Sequence, residues 1–598
     1  MVDYCYSRRR EKEKEFFNLN NRYFIKQENF FRIPGVPIVY WGSESFYKAY
    51  DFKPLGEIGK AKSGLQTGNN DLYLKFWQEV SYEKIAFKMK SKQDYLSSHK
   101  KWVPQIKGGK YRKWYGNFDY VVNWENDGYE IRNCSGCRLN AMGNDDLFFI
   151  EGLTWSHTTS NVFGARYLPL GFLFNVEAPT YFIKEDNEYY VLGFLNSCVA
   201  QLYLNVNSTM HYLVGNIMAL PLMYSNKYKN DIDCLVAENI DICKIDWDNF
   251  EMSWDFKEHP FVKWSKELWD ATSIGATMMH YYNEHIEVCC PLELCYMLWQ
   301  GECNDRFNKL KANEEELNRI FIGIYGLQEE LTPEVIDKDV TVYSANLQDD
   351  MKSFISYLVG IIMGRYSLDY EGIAYAGGEW DDSRYKSYIP DDDGIVPIYP
   401  FVGMEIGLTA QICNLVKQIF GEDCYRTNME YIAQALGKKN TESAEETLNR
   451  YLNNDFYTDH LKHYKKCPIY WMMSSGSEGG FKCLIYMHRY NEDTLARTNT
   501  MYYLPDSTRL KNELDETLVA LTTASGKDKI ALEKKRQILA ARYNEALEYG
   551  QILDYMANKY ISIDLDDGVK VNYEKFQNIE ITTDNGTKVR KDLLIPLK

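Results

Sequence analysis

The spacing of apolar residues changes along this chain, and that change constrains the fold more than any other feature. Up to about residue 235 the apolar residues come in short runs cut by glycine and polar turns, the pattern of brief β-strands. Tyr181-Phe182-Ile183 and Tyr189-Tyr190-Val191-Leu192, on either side of a polar turn from Lys184 to Glu188, read as strands. A helix is expected from Gly193 to Tyr203, and the apolar run Ile217 to Leu222 closes the stretch. From 236 to 345 the pattern is helical and polar. Leu317, Ile320, Phe321 and Ile324 share one face of a helix expected over Glu314 to Leu327.

From 346 onward both patterns occur. Phe354, Leu358, Ile361 and Ile362 mark an amphipathic helix, while Pro468 to Met473 and Phe481 to Met487 read as a hairpin around the loop Ser474 to Gly480. Leu510, Leu514, Leu518 and Leu521 stand at helical spacing, and a second long helix is expected from about Asp528 to Tyr560 after the Ser525-Gly526 break. Together they predict an antiparallel helical hairpin over 507–560. The expected class is α+β: a connector at 1–35, a mixed domain at 36–235, a helical spacer at 236–345, and an α+β domain at 346–598 carrying the hairpin.

Of the 598 residues, 45% are apolar and 26% charged, enough to build sizeable cores and too apolar for wholesale disorder. No apolar run approaches the roughly 18–20 residues that span a bilayer. Arg8, Arg9, Arg10, Lys12 and Lys14 alternate with acids and precede no apolar core, unlike a secretory signal. The 14 cysteines are scattered, as reduced thiols in a cytoplasm would be. A cytoplasmic protein with no membrane partner is expected. The net charge of −17 speaks against nucleic acid only as an average. Between Lys84 and Lys113 lie ten Lys or Arg residues and a single acid, Asp94, whereas acids collect at Asp381, Asp382 and Asp391 to Asp393. The 48 Tyr and 13 Trp suit sheet packing and also stacking on bases.

Three segments carry candidate DNA-contacting residues. In Trp102 to Tyr115, Lys107, Lys110, Arg112 and Lys113 suit phosphates, and Tyr111, Trp114 and Tyr115 suit stacking. The same pattern suits a solvated basic hairpin with its aromatics turned to the core. In Lys60 to Asp71, Lys60 and Lys62 flank a glycine-containing loop, where Gln66, Thr67, Asn69 and Asn70 offer groups that read base edges, adenine above all. An ordinary surface loop would read alike. In Gly152 to Gly164, Ser156, His157 and Thr158, with Arg166 just beyond, can donate hydrogen bonds to DNA, although the segment reads at least as well as a structural loop. No acid or nucleophile elbow makes a hydrolase of Ser156-His157. Cys134-Ser-Gly-Cys137 lacks the second pair of a structural zinc site, and Cys289, Cys290, Cys295 and Cys303 are not spaced like a zinc ribbon. The Asp391 to Gly394 run fails the EF-hand spacing and reads as a solvated turn.

An adenine methyltransferase needs a glycine-rich turn for S-adenosylmethionine and an Asn/Asp-Pro-Pro-aromatic segment for the flipped base. Neither pattern occurs; none of the 16 prolines is followed by another. No catalytic, cofactor-binding or metal residue is therefore assigned.

Several stretches resemble the PglX-type adenine-specific DNA methyltransferases of BREX phage-defence systems. They are Ile33 to Trp41, Gly64 to Asn70, Gly108 to Asn117 and Asn175 to Pro179, and further on Pro468 to Trp471, Tyr486 to Tyr490 and Thr494 to Arg497. The resemblance covers nearly the whole chain. It implies an arrangement of catalytic domain, target-recognition domain, helical spacer and carboxyl-terminal domain, with this chain starting just after the catalytic part. It also implies double-stranded DNA, a catalytic half or other BREX proteins as partners, and S-adenosylmethionine bound outside this chain. On this reading the chain recognises DNA for a catalytic partner and is inactive alone. Arg112→Ala or Lys113→Ala is then expected to weaken DNA binding. The alternative is a BREX interaction scaffold without DNA binding.

Overall fold

The computed structural model describes residues 17, 23–134, 145–159, 162–183, 187–207, 210–269, 290–582, 586 and 588–597. The chain divides into two compact units, each drawn from three stretches. Residues 1–74, 85–247 and 303–344 make the first, and residues 75–84, 248–302 and 345–598 the second. The stretch 236–345, expected as a spacer, is shared: 236–247 and 303–344 fall in the first unit and 248–302 in the second. Helices and small, mostly antiparallel sheets make the fold α+β.

In the first unit, Gly59–Lys62 pairs with Thr180–Ile183, which pairs with Gly152–Trp155, which pairs in turn with Ala165–Leu168, all antiparallel. Along Gly59–Lys62 burial alternates, with Gly59 and Ala61 inside and Lys60 open, as on an edge strand with one wet face. Gly152–Trp155 is central and buried throughout. Elsewhere in the unit Trp102–Ile106 runs antiparallel to Tyr120–Asn123 and parallel to Leu173–Phe174.

Thr180–Ile183 is a strand as its sequence suggests, but Tyr189 to Leu192 is not. Those residues lie in the helix Glu188–Leu195, and a second helix, Cys198–Asn207, follows where one helix over Gly193 to Tyr203 was expected. Tyr190 to Leu195 are all buried, and an unbroken apolar run has no period that separates strand from helix. The turn expected before them falls partly on 184–186, outside the described residues. The helix expected from Glu314 is the end of a longer one, Pro291–Tyr325. Its Leu317 and Phe321 are buried; Tyr190 meets Phe321 edge-on at 5.6 Å, and Phe194 stacks on Tyr325 at 5.7 Å.

In the second unit, Leu347–Met363 buries Phe354, Leu358, Ile361 and Ile362. It starts where Asn346 accepts from the Asp349 amide at 3.1 Å and stops at Gly364, whose φ is 81°. Tyr470–Ser474 and Lys482–Tyr486 form the expected hairpin, with Ile395–Pro397 beyond Lys482–Tyr486. Its connecting loop is held by Glu545, which accepts from Ser475 Oγ at 2.8 Å, Glu478 N at 2.9 Å and Gly480 N at 3.2 Å. The turn at Asp391 is closed by its carboxylate, which accepts from Gly394 N at 2.8 Å.

Leu504–Thr523 and Gly526–Ala557 form the helical hairpin. Tyr503 donates its hydroxyl to the Ala546 carbonyl at 2.9 Å, and a Cβ on Gly550 would stand 2.0 Å from that hydroxyl oxygen. A glycine at 550 therefore sets how closely the two arms approach. Leu510 is buried with Trp471, Tyr503, Leu539 and Tyr549, whereas Leu518, Val519 and Ile530 near the turn are exposed. Among the described residues no helix is long and apolar enough to cross a membrane, and no three His, Cys, Asp or Glu side chains are grouped to hold a metal ion. Cys134 follows the helix Glu125–Asn133; Cys137 and Cys289 lie outside the described residues.

Candidate nucleic-acid interface

Three loops of the first unit converge on the turn Asn175 to Pro179. Asn175 shapes the turn with its own side chain, accepting from Glu177 N at 2.9 Å and Ala178 N at 3.1 Å. The loop after Gly59–Lys62 docks through Leu65, whose amide donates to Phe174 O at 2.8 Å. Gly64 passes so close that a Cβ would lie 2.0 Å from Phe174 O, a distance only glycine allows. The loop after Gly152–Trp155 joins through His157 N, which donates to Glu177 O at 3.0 Å, and through Ser156 Oγ, which donates to Gly109 O at 3.3 Å. Gly109 belongs to the third loop, the basic one. The sequence segments 64–70, 108–117 and 175–179 thus meet in space.

The candidates fall into two groups. Lys60 and Lys110 are exposed, Lys62 is half-buried, and Gln66 is exposed. Lys107 is half-buried with its ammonium 5.2 Å from the Tyr120 ring centre; burial lowers its pKa, opposed by the charges of Glu177 and Asp71. Thr67 is buried and donates to Asn70 Oδ1 at 2.6 Å, while Asn69 Oδ1 caps the short helix Asn70–Tyr73 by accepting from Leu72 N at 3.2 Å. Both asparagines spend their carbonyl oxygen on the loop. The Thr158 hydroxyl sits between two rings, 3.3 Å from His157 Nδ1 and 3.1 Å from His211 Nδ1.

The remaining four turn inward. Lys113 and Trp114 are buried against one carboxylate: Glu314 pairs with Lys113 Nζ through Oε2 and accepts from Trp114 Nε1 at 2.7 Å through Oε1. Trp114 also extends the sheet, its N donating to Ala165 O at 2.9 Å and its O accepting from Tyr167 N at 2.8 Å, with φ at 68°. Arg112 lies 3.3 Å from Asp246 Oδ2 and over the Trp247 ring at 5.1 Å. Burial raises the Asp246 pKa, opposed first by Arg112. Arg166 is buried, and burial, reinforced by Arg112 and opposed by Asp119, pushes its pKa down to about 10. Its Nη1 reaches Arg112 O at 3.5 Å.

Sequence reasoning found the loops but missed their inner partners. Glu314, Asp246 and Trp247 stand on helices where each reads as one more polar or aromatic face residue, and the Lys113–Glu314 pair spans 201 positions. No local signal connects them. Glu177, the acceptor for His157 N, at least lies in a segment that carried the resemblance.

No protein-family model matches the chain. Two curated relatives do. The adenine-specific methyltransferase PglX of Lacticaseibacillus casei (strain Zhang) is 39% identical over 576 residues, covering 94% of this chain and 46% of the relative. The adenine-specific methyltransferase BrxX of Escherichia coli O9:H4 (strain HS) is 34% identical over 587 residues, covering 92% of this chain and 45% of the relative. The chain thus spans about half the length of the curated relatives it matches. The resemblance carried by the motifs holds along nearly the whole sequence: this chain is a relative of the PglX-type adenine-specific methyltransferases.

Proposed function

We propose that the first unit recognises duplex DNA for a site-specific adenine-N6 methyltransferase of BREX defence, and that a catalytic partner supplies the S-adenosylmethionine site and the chemistry. The observation that carries this reading is the meeting of three loops at Asn175 to Pro179, with Lys107 and Lys110 on one of them and Lys60 on the strand that leads into another. Cations on loops of fixed shape suit a phosphate track, and Gln66 and His157 supply side chains for base edges. Arg112, Lys113, Trp114 and Arg166 then act as the frame behind the surface. Asn69 and Asn70 hold the loop that carries Gln66.

The test is binding of the purified chain to mixed-sequence duplexes across a salt series, with and without S-adenosylmethionine. Three phosphate contacts by Lys60, Lys107 and Lys110 correspond to a slope of log K against log salt near −3. Enrichment of one short adenine-containing site, indifferent to the cofactor, is the expected result. Flat and weak binding favours the second reading, a scaffold for BREX proteins. That reading draws support from the inward turn of four of the candidate side chains and from the net charge of −17.

A further inference from the structure

The second unit holds a cleft of about 330 Å³ among three helices, Leu347–Met363, Ala444–Asn454 and Phe456–His463. Tyr451 and Phe456 give it apolar wall, and Lys352, Lys462, Asp349 and Asp459 bring two charges of each sign. Asp459 is already engaged. It lies 2.9 Å from Lys352 Nζ and 3.8 Å from Lys462 Nζ, and it accepts from the Tyr451 hydroxyl at 3.3 Å. Lys462 reaches into solvent, its side chain 75% exposed.

The buried wall of the cleft is short of acceptors. His460 lines it, is 3% exposed, and accepts at Nε2 from Tyr470 N at 3.2 Å. Burial, reinforced by His463 and Arg365, holds its pKa well below the usual value, so the neutral ring carries its proton on Nδ1. That N–H has no partner among the described residues. Next to His460 the hydroxyls of Tyr464 and Tyr470 have none there either, and their rings lie 4.7 and 5.1 Å from the imidazole. The buried Arg365 guanidinium donates to the phenols of Tyr366 at 3.3 Å and Tyr486 at 3.2 Å, and its Nη2 lacks a partner among the same residues. Glu251, which accepts from Ser356 at 2.8 Å, gives it only part of a charge near neutral pH, because burial raises that carboxyl to about 7. A buried cation among neutral groups, beside donors that lack acceptors, favours an anion. His463 adds the opposite function. It also lines the cleft, burial lowers its pKa, and its Nε2 has no partner among the described residues, with Glu251 Oε2 3.9 Å away. An anion that keeps one proton answers both needs.

We propose that this cleft binds a singly protonated phosphate group, free or carried as a monoester on a small organic body. His460 Nδ1–H and Lys462 donate to its oxygens, and its own hydroxyl donates to His463 Nε2. A cleft of this size admits a phosphate with a body of about nucleoside size beside Tyr451 and Phe456. Asp349 is the counterweight that limits the affinity.

The test is calorimetric titration of the full chain with inorganic phosphate, adenosine monophosphate and sulfate at about pH 6, near the second pKa of a phosphate ester. One equivalent of phosphate or nucleotide is expected to bind, and sulfate, which carries no proton there, at least about tenfold more weakly. Tighter binding of the nucleotide supports a monoester as the ligand, and equal binding supports free phosphate. Lys462→Ala should weaken binding about tenfold and Asp349→Asn should strengthen it, with thermal midpoints unchanged. Lys386→Ala, at an exposed lysine outside the cleft, should do neither. In a nitrogen-15 histidine spectrum the His460 Nδ1 signal should move on adding phosphate. No saturable binding at millimolar ligand overturns the proposal and leaves the wall to water. Sulfate as good as phosphate, indifference to Lys462 and Asp349, or a His460 signal that stays in place overturns it too. So does displacement of phosphate by a short DNA duplex, because the cations then serve a nucleic-acid backbone.

Discussion

Glu314→Ala should destabilise the first unit by about 4–6 kcal/mol, a large part of the roughly 5–15 kcal/mol that holds a domain folded. The side chains of Lys113 and Glu314 are 7% and 3% exposed, so solvent screens the pair little. Removing one partner of a buried pair costs about 3–5 kcal/mol through the charge left behind. Trp114 Nε1 loses its acceptor as well, at about 1–3 kcal/mol, part of which overlaps the first cost. Glu314→Gln keeps an acceptor for Trp114 and should fall between wild type and alanine. Lys113→Met with Glu314→Leu removes both charges and should recover most of the loss. Urea denaturation followed by tryptophan emission measures all four proteins. A Glu314→Ala cost below about 1 kcal/mol, or a double variant less stable than Glu314→Ala, would refute the reasoning. The folded double variant also addresses function. If Lys113 is frame rather than contact, the variant binds DNA with an unchanged salt slope.

On the surface side, Lys60→Ala and Lys110→Ala should each make the salt slope shallower by about 1 without altering the thermal midpoint; an unchanged slope removes that lysine from the track. Gly64→Ala forces a methyl group against Phe174 O, and a loss of about 1–3 kcal/mol is expected in thermal denaturation; a neutral effect would mean that the loop is free to move. In the second unit burial pushes the Glu251 carboxyl from 4.5 up to about 7, opposed by the Ser356 hydroxyl, which donates to it at 2.8 Å, and by the Arg365 charge. The folded protein therefore holds a proton that the unfolded chain releases. That stabilisation is complete below about pH 4.5 and is lost as the pH rises through 7, by about 3 kcal/mol in all. Relative to Glu251→Gln, wild type should weaken across that window, and parallel stability curves for the two would reject the assignment.

Whatever depended on local pattern was legible in the sequence. The hairpin over Tyr470–Ser474 and Lys482–Tyr486 and the helical hairpin follow from two short apolar runs and from a leucine stripe, each interrupted by glycine and serine. Glu188–Leu195 was misread because an apolar run buried on every side erases the period. The site divided along the same line. Glycine and lysine marked the loops at 64–70 and 108–117, yet nothing local distinguishes Lys110, which faces water, from Lys113, which faces Glu314. The choice is made by a helix some 200 positions further on.

The first unit's three-part path has a consequence for synthesis and for engineering. At ~5–20 residues per second, the basic loop leaves the ribosome about 10–40 s before the helix that carries Glu314, 201 positions downstream of Lys113. Through that interval Lys113 and Trp114 lack the carboxylate they pack against in the folded unit. A graft meant to transplant the proposed recognition surface meets the same requirement. Cut at residue 235, it would lack Asp246, Trp247 and Glu314 together; extended with 236–247 and 303–344, it would bring its own frame.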